Sequence, residues 1–290
     1  MCIRDRRFTF VFRAGSSMQH TPFAASATAN MLSEGSRDMT ARQIAEQLDF
    51  YGSYFEVNVD RDYVYISFSS LSKFFAPTLE VAEQILLQPL FPEDELRAYC
   101  EKRKQALTIE RRKVDTVVRE IFAEALFGDK HPYGISYPEK DYDTLTRADL
   151  ESLYRRLYTA ENCLVVCSGR IGEEELQGIG ALAEKLPRAD RSVTAEFPAP
   201  RSEAYRFVEK ADAVQSSLRV GRLLFTRTHP DFVGMQVVAT VLGGYFGSRL
   251  MQNLRGEHGY TYGVGAAMVN FEREAVSYTH LRAHETDSYL

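Results

Sequence analysis

The feature that most restricts what this chain can fold into is that it runs through one pattern twice. Arg7 to Arg13 alternates apolar and polar residues as a strand does. Two helical stretches follow at 21–33 and 40–51, and a second alternating strand covers 54–59. The same order returns further on: a strand at 214–225, a helix at 230–242, a shorter helix at 246–256 and an alternating strand at 260–270. Met31-Leu-Ser-Glu-Gly35 and Val241-Leu-Gly-Gly244 fall at comparable places in the two passes, which reads as an internal duplication. Helices mixed with hairpin-like strands predict an α+β fold with helices covering one face of a largely antiparallel sheet. The duplication predicts two related domains.

Between the two passes the pattern is mostly helical. Tyr54–Val59 and Tyr63–Ser70 form a hairpin signal around Asp60-Arg-Asp62. Helices are expected at 74–87, in one long run from Pro92 to Phe127 that Gly128 ends, at 146–157 and at 172–186, with a strand at 162–168. Thr40 is the expected cap of the 40–51 helix, because Gln43 stands three residues on. Pro187 to Glu203 holds three prolines and six charges without a hydrophobic period, so it reads as a linker. The expected organisation is a first domain at 7–186, a linker at 187–203 and the first half of a second domain at 204–276.

Both ends differ in character from the rest. Met1 to Arg6 and Ser277 to Leu290 resemble translated sequencing adapter and are expected to be foreign to the fold. That expectation sets aside His280, His284 and Glu285, whose HxxxHE spacing imitates a zinc motif. It also makes the second domain a truncated one.

Charge and composition remove several function classes. With 35 Lys and Arg against 40 Asp and Glu, the net charge of −5 offers no global positive field for nucleic acid or an anionic membrane. No stretch approaches eighteen uninterrupted apolar residues, so no membrane span is expected. Cys2, Cys100, Cys163 and Cys167 are too few and too oddly spaced for a disulfide framework. Cys163 and Cys167 share one face of a strand that reads as buried, roughly 13 Å apart at about 3.3 Å per residue, beyond bridging distance.

Other motifs are weak. Gly263-Val-Gly265 lies inside a strand and opens no helix, so it makes no dinucleotide site. The basic runs Lys102-Arg-Lys104 and Arg111-Arg-Lys113 share a helix with acidic residues and read as a solvated face or, alternatively, a partner contact. His131 stands in a turn, and Ser26 has no histidine base nearby.

Three stretches taken together resemble the insulinase-type (M16) peptidases and their mitochondrial-processing-peptidase-like relatives. These are Phe23 to Ser53, Gln88-Pro-Leu-Phe-Pro-Glu-Asp-Glu-Leu96, and Leu242-Gly-Gly-Tyr-Phe-Gly-Ser-Arg-Leu250 followed by Leu254-Arg-Gly-Glu-His-Gly-Tyr-Thr-Tyr-Gly263. The resemblance implies the M16 α+β fold, and it implies a zinc peptidase only where the inverted motif HxxEH is intact. Zinc hydrolysis needs two imidazoles one helical turn apart, a distal carboxylate and a general base. Where HxxEH would stand, this chain has Ser26, Ala27, Thr28, Ala29 and Asn30. Where the distal glutamate would fall it has Gln105, Ala106 and Leu107. His20 is the only histidine before 131, so no small shift of alignment restores the ligands. The chain therefore resembles a member that holds no metal at Ser26, Ala29 and Asn30.

In two-chain bacterial M16 members the subunit without zinc contributes an arginine and a tyrosine that bind the substrate backbone. Arg255 and Tyr262 match that pair. An arginine fork and a phenol suit the stabilisation of a developing oxyanion. The competing account is that Arg255 caps its helix and Tyr262 packs in its strand. The resemblance implies a non-catalytic subunit, without cofactor of its own, that binds peptide substrate beside a zinc-bearing partner, in the bacterial periplasm or envelope. The alternatives are a structural or peptide-binding module of the same fold, and a longer protein whose further domains carry an intact motif.

Overall fold

The computed structural model describes residues 5–189, 195–211, 213–273 and 275–284. In chain order the elements are β1 (Asp5–Phe12), α1 (Ala24–Met31), α2 (Ala41–Tyr51), β2 (Tyr54–Val59), β3 (Val64–Leu71), α3 (Phe75–Leu87), α4 (Glu93–Glu110) and α5 (Val114–Phe127). There follow α6 (Arg147–Leu157), β4 (Cys163–Gly169), α7 (Glu173–Glu184), β5 (Gln215–Leu224), α8 (Phe232–Ala239), β6 (Thr261–Asn270) and β7 (Ala275–His284). The chain separates into two compact units, Met1–Gln105 with Tyr137–Glu196, and Ala106–Ser136 with Phe197–Leu290.

The first unit is built on an antiparallel sheet ordered β2-β3-β1-β4. Period-2 alternation sends Phe8, Phe10 and Phe12 of β1 and Val64, Ile66 and Phe68 of β3 to one face, where all six are fully buried. Register pairs Phe8 with Phe68, and their rings stack at 5.2 Å. Helix α1 enters this core because it is nearly all small: Ala24, Ala25, Ala27, Thr28 and Ala29 allow close approach, and it packs on α6. Helix α2 begins at the expected cap, with Gln43 N–H donating to Thr40 Oγ1 at 3.3 Å and Thr40 N–H to Gln43 Oε1 at 2.9 Å. It ends at Gly52, whose φ of 58° lies in the left-handed region.

The second unit repeats the plan of the first. Its sheet is ordered β5-β7-β6, matching β1-β3-β2, with α8 and the helical turns after it standing where α1 and α2 stand. The repeat therefore extends one strand further than expected, to the hairpin β6–β7. A second core forms from Leu126, Phe127 and Tyr133, with Phe122, Phe197, Leu223 and Phe271 packed against it.

Several expectations are corrected. The run 92–127 is two helices, broken at Arg111-Arg-Lys113, where three adjacent cations end α4 and Arg111 turns to pair with Glu120 at 3.1 Å and donate to Ser136 at 3.0 Å. Residues 106–136, assigned from sequence to the 7–186 domain, pack within the second unit. Residues 201–203 are not a free linker: the N–H of Arg201 and of Glu203 and the Ser202 hydroxyl donate to the carbonyls of Phe127, Ala125 and Leu126. The last carbonyls of a helix lack internal donors, and this segment supplies them. Residues 190–194 lie outside the described residues.

The ends also differ from expectation. Residues 5 and 6 continue β1, where Arg6 pairs with Glu175 at 2.5 Å and donates to the carbonyls of Ser72 and Arg170. The backbone of 277–284 runs inside β7, between β5 and β6; residues 285–290 lie outside the described residues, as do 1–4. Strand β4 is an edge of its sheet rather than a buried strand, exposing Leu164 and Val166. Cys163 and Cys167 are free thiols on its inner face, and burial pushes the Cys163 thiol up to about 12. The expected helices at 230–242 and 246–256 are α8 followed by wider π-type turns at Thr240–Gly244 and Met251–Glu257.

Candidate functional site

Within the first unit, the position corresponding to HxxEH lies on α1 and carries nothing that could hold a metal. The Ser26 hydroxyl donates to Phe23 O at 3.0 Å, Asn30 donates to Ser26 O at 2.7 Å, and Ala29 is fully buried. The group facing Ser26 from α4 is Tyr99, with Arg103 nearby, whereas the sequence spacing pointed to 105–107. Burial pushes the Tyr99 phenol up to about 12. Glu34 follows α1 in the chain. Its carboxyl is held above the usual range, first by burial and then by Glu95, with Lys102 opposing. Among the described residues no three His, Cys, Asp or Glu side chains gather as a metal site requires. The residues present do not fit zinc.

The second unit brings Arg255 and Tyr262 together. Tyr262 stands at a β-bulge: Thr261 pairs with Ala283 and Gly263 with Arg282, so Tyr262 is the extra residue in the ladder. The Thr261 hydroxyl bonds both the N–H of Gly263, at 3.1 Å, and its carbonyl, at 2.9 Å, which ties the bulge at both of its ends. The bulge turns the Tyr262 ring outward, where it is 75% exposed. Arg255, half-buried in the Met251–Glu257 turn, places its guanidinium carbon 4.8 Å from the centroid of the Tyr262 ring.

The competing roles for the pair find little room in this geometry. The end of the 251–257 turn is closed by backbone donors, His258 N–H to Asn253 O at 3.1 Å and Tyr260 N–H to Leu254 O at 2.9 Å, so Arg255 is not its cap. Tyr262, mostly exposed, does not pack in a core. Phe246, to which the sequence alone assigns no role, joins the pair. Its ring lies 4.9 Å from the same guanidinium carbon, and the Gly244-Tyr-Phe-Gly247 turn was the available signal.

Comparison with known proteins bears on the whole chain. The family model described as "Peptidase M16 inactive domain" matches residues 144–280. The chain is M16-like. An "Uncharacterized zinc protease" of Rickettsia bellii is 26% identical over 246 residues, covering 82% of this chain and 58% of its own length. A Bacillus subtilis "Uncharacterized zinc protease YmxG" is 21% identical over 84% of this chain and 59% of its own. The M16-like chain thus spans less than two thirds of these curated relatives. Its fold is shared with the crystal structure of a peptidase M16 inactive domain from Pseudomonas fluorescens, with a TM-score of 0.89 at 24% identity over 97% of this chain and 69% of that one. The M16 fold anticipated from sequence is the fold observed, and its mixture of helices and antiparallel sheet is the α+β class. Among the described residues no helix is long and apolar enough to cross a membrane.

Proposed function

We propose that this chain is the non-catalytic, substrate-binding subunit of a heteromeric M16-type metallopeptidase. It lends Arg255 and Tyr262 to a peptide cleaved at the zinc of a partner subunit. The observation that carries this reading is the pairing of an arginine fork with an exposed, bulge-mounted phenol, in a chain whose α1 has no metal ligands. Two donors a few ångströms apart can hold a peptide carbonyl and stabilise negative charge developing on its oxygen. Arg255 supplies the charge and the fixed geometry, and Tyr262 supplies one further hydrogen bond.

The experiment is reconstitution. The full-length gene product is mixed with a zinc-bearing M16 protein from the neighbouring reading frame, and cleavage of a fluorogenic peptide is followed. Activity only on mixing supports the reading; chelator-sensitive activity of this protein alone overturns it. A second reading, a structural or peptide-binding module without a part in proteolysis, draws on the apolar side chains that α8 and the turn after it leave exposed, Val233, Val237, Val238 and Val241. Absence of an HxxEH-bearing relative beside the gene would favour it.

A further inference from the structure

Phe246 is 73% exposed, so core packing does not account for a phenyl ring there. The ring interaction it makes among the described residues is with Arg255, and the turn that carries it is firmly anchored. Gly243 lies so close to β6 that a Cβ would meet Ala266 N at 2.4 Å. Ser248, fully buried, closes the other side, with its N–H donating to Tyr245 O at 3.0 Å and its carbonyl accepting from Gln252 N–H at 2.9 Å. Phe246 is thus presented from an anchored turn, Tyr262 from an anchored bulge, and the guanidinium of Arg255 lies against both rings at 4.9 and 4.8 Å.

We propose that Phe246 is a positioning residue that, with the ring of Tyr262, fixes the plane of the Arg255 guanidinium so that its N–H edge meets a peptide carbonyl. This rests on the function proposed above. A guanidinium on a ring face keeps its donors in its own plane, free of the ring, and loses little freedom when it then binds an acceptor. An arginine on a flexible side chain without such support would have to be ordered during the reaction, at a cost in turnover. Tyr262 has two parts to play here, ring and hydroxyl, whereas Phe246 contributes its ring alone.

The test uses Phe246→Leu, which keeps apolar bulk without a ring face, and Phe246→Tyr, which restores the ring. In a first arm the protein is labelled with phenylglyoxal and mapped by mass spectrometry, with exposed Arg249 as internal reference. Release of an exposed cation–π contact corresponds to an increase of about two- to five-fold in Arg255 labelling for Phe246→Leu. Phe246→Tyr is expected to keep Arg255 protected. In a second arm the full-length variants are mixed with the zinc-bearing subunit and the fluorogenic peptide. The expected result is a fall in kcat with KM little changed for Phe246→Leu, largely recovered in Phe246→Tyr. Unchanged Arg255 labelling in Phe246→Leu would overturn the clamp, and raised labelling with wild-type turnover would overturn its positioning role. An inactive wild-type mixture would sink the peptidase reading itself, and the labelling arm separates that failure from a failure of the clamp.

Discussion

The guanidinium of Arg255 lies over the ring of Tyr262, 4.8 Å from its centroid, although six residues and a change from helical turn to strand separate them. The contact uses the face of the phenol and leaves its hydroxyl and the arginine donors for something else. Tyr262→Phe therefore keeps the stack and removes one hydrogen bond. Loss of one such donor costs on the order of 10² to 10³ in turnover, and that is the effect expected in the reconstituted peptidase with the melting temperature unchanged. Arg255→Lys should also be damaging, because the charge stays and the planar fork is lost. A Tyr262→Phe mixture that cleaves peptide at the wild-type rate would remove the proposed site.

Metal content is a separate matter. With Ser26, Ala29 and Asn30 on α1 and Tyr99 facing Ser26, untagged protein with His280 and His284 replaced by asparagine, which keeps the backbone of β7, is expected to carry well under one zinc per chain by elemental analysis. Rebuilding the motif as Ser26→His, Ala29→Glu and Asn30→His should lower the melting temperature, since position 29 is fully buried and a carboxylate there would be desolvated. Stoichiometric zinc in the unaltered protein, retained on dialysis, would contradict this.

Thr40 and Gln43 cap α2 reciprocally. Thr40→Ala removes the acceptor for Gln43 N–H, and a loss of about 1 kcal/mol is expected from denaturant unfolding. Thr40→Ser, which keeps the acceptor, should lose much less.

His131 gives the second unit a pH dependence of predictable sign. It is buried in a cluster with Phe127, Tyr133 and Phe197, its Nδ1 accepts from Tyr133 N–H at 3.1 Å, and burial lowers its pKa from 6.5. The unfolded chain then binds the proton more readily than the folded one. The contribution to stability is complete above about pH 6.5 and is lost as pH falls from there toward the folded pKa. His20, lowered first by the charge of Arg156 and then by burial, adds in the same direction. Unfolding followed between pH 7.5 and 5 should show stability falling, and His131→Gln should flatten the slope; an unchanged slope would show that His131 does not set it.

Much of this protein was written locally, and such features could be read from sequence. Alternation in Arg7–Arg13 and Tyr63–Ser70 puts every second residue in one core whatever the partner strand is. The Thr40–Gln43 cap is complete within four residues, and the absence of imidazole and carboxylate at 26–30 excludes a zinc site on α1 before any fold is known. The pairing of Arg255 with Tyr262 could be suspected from a resemblance, but its geometry could not. It depends on a bulge at Tyr262, and a bulge is a relation between β6 and β7, not a property of either strand. The same holds for Phe246, since an exposed phenylalanine gains its meaning only from what lies over it. The break at Arg111-Arg-Lys113, the seating of 201–203 on the end of α5, and the inclusion of 277–284 in a sheet were likewise settled by partners distant in sequence. Periodicity fixes which face of an element is apolar. Only tertiary packing decides which carbonyls, rings and strand edges are left for another part of the chain to satisfy.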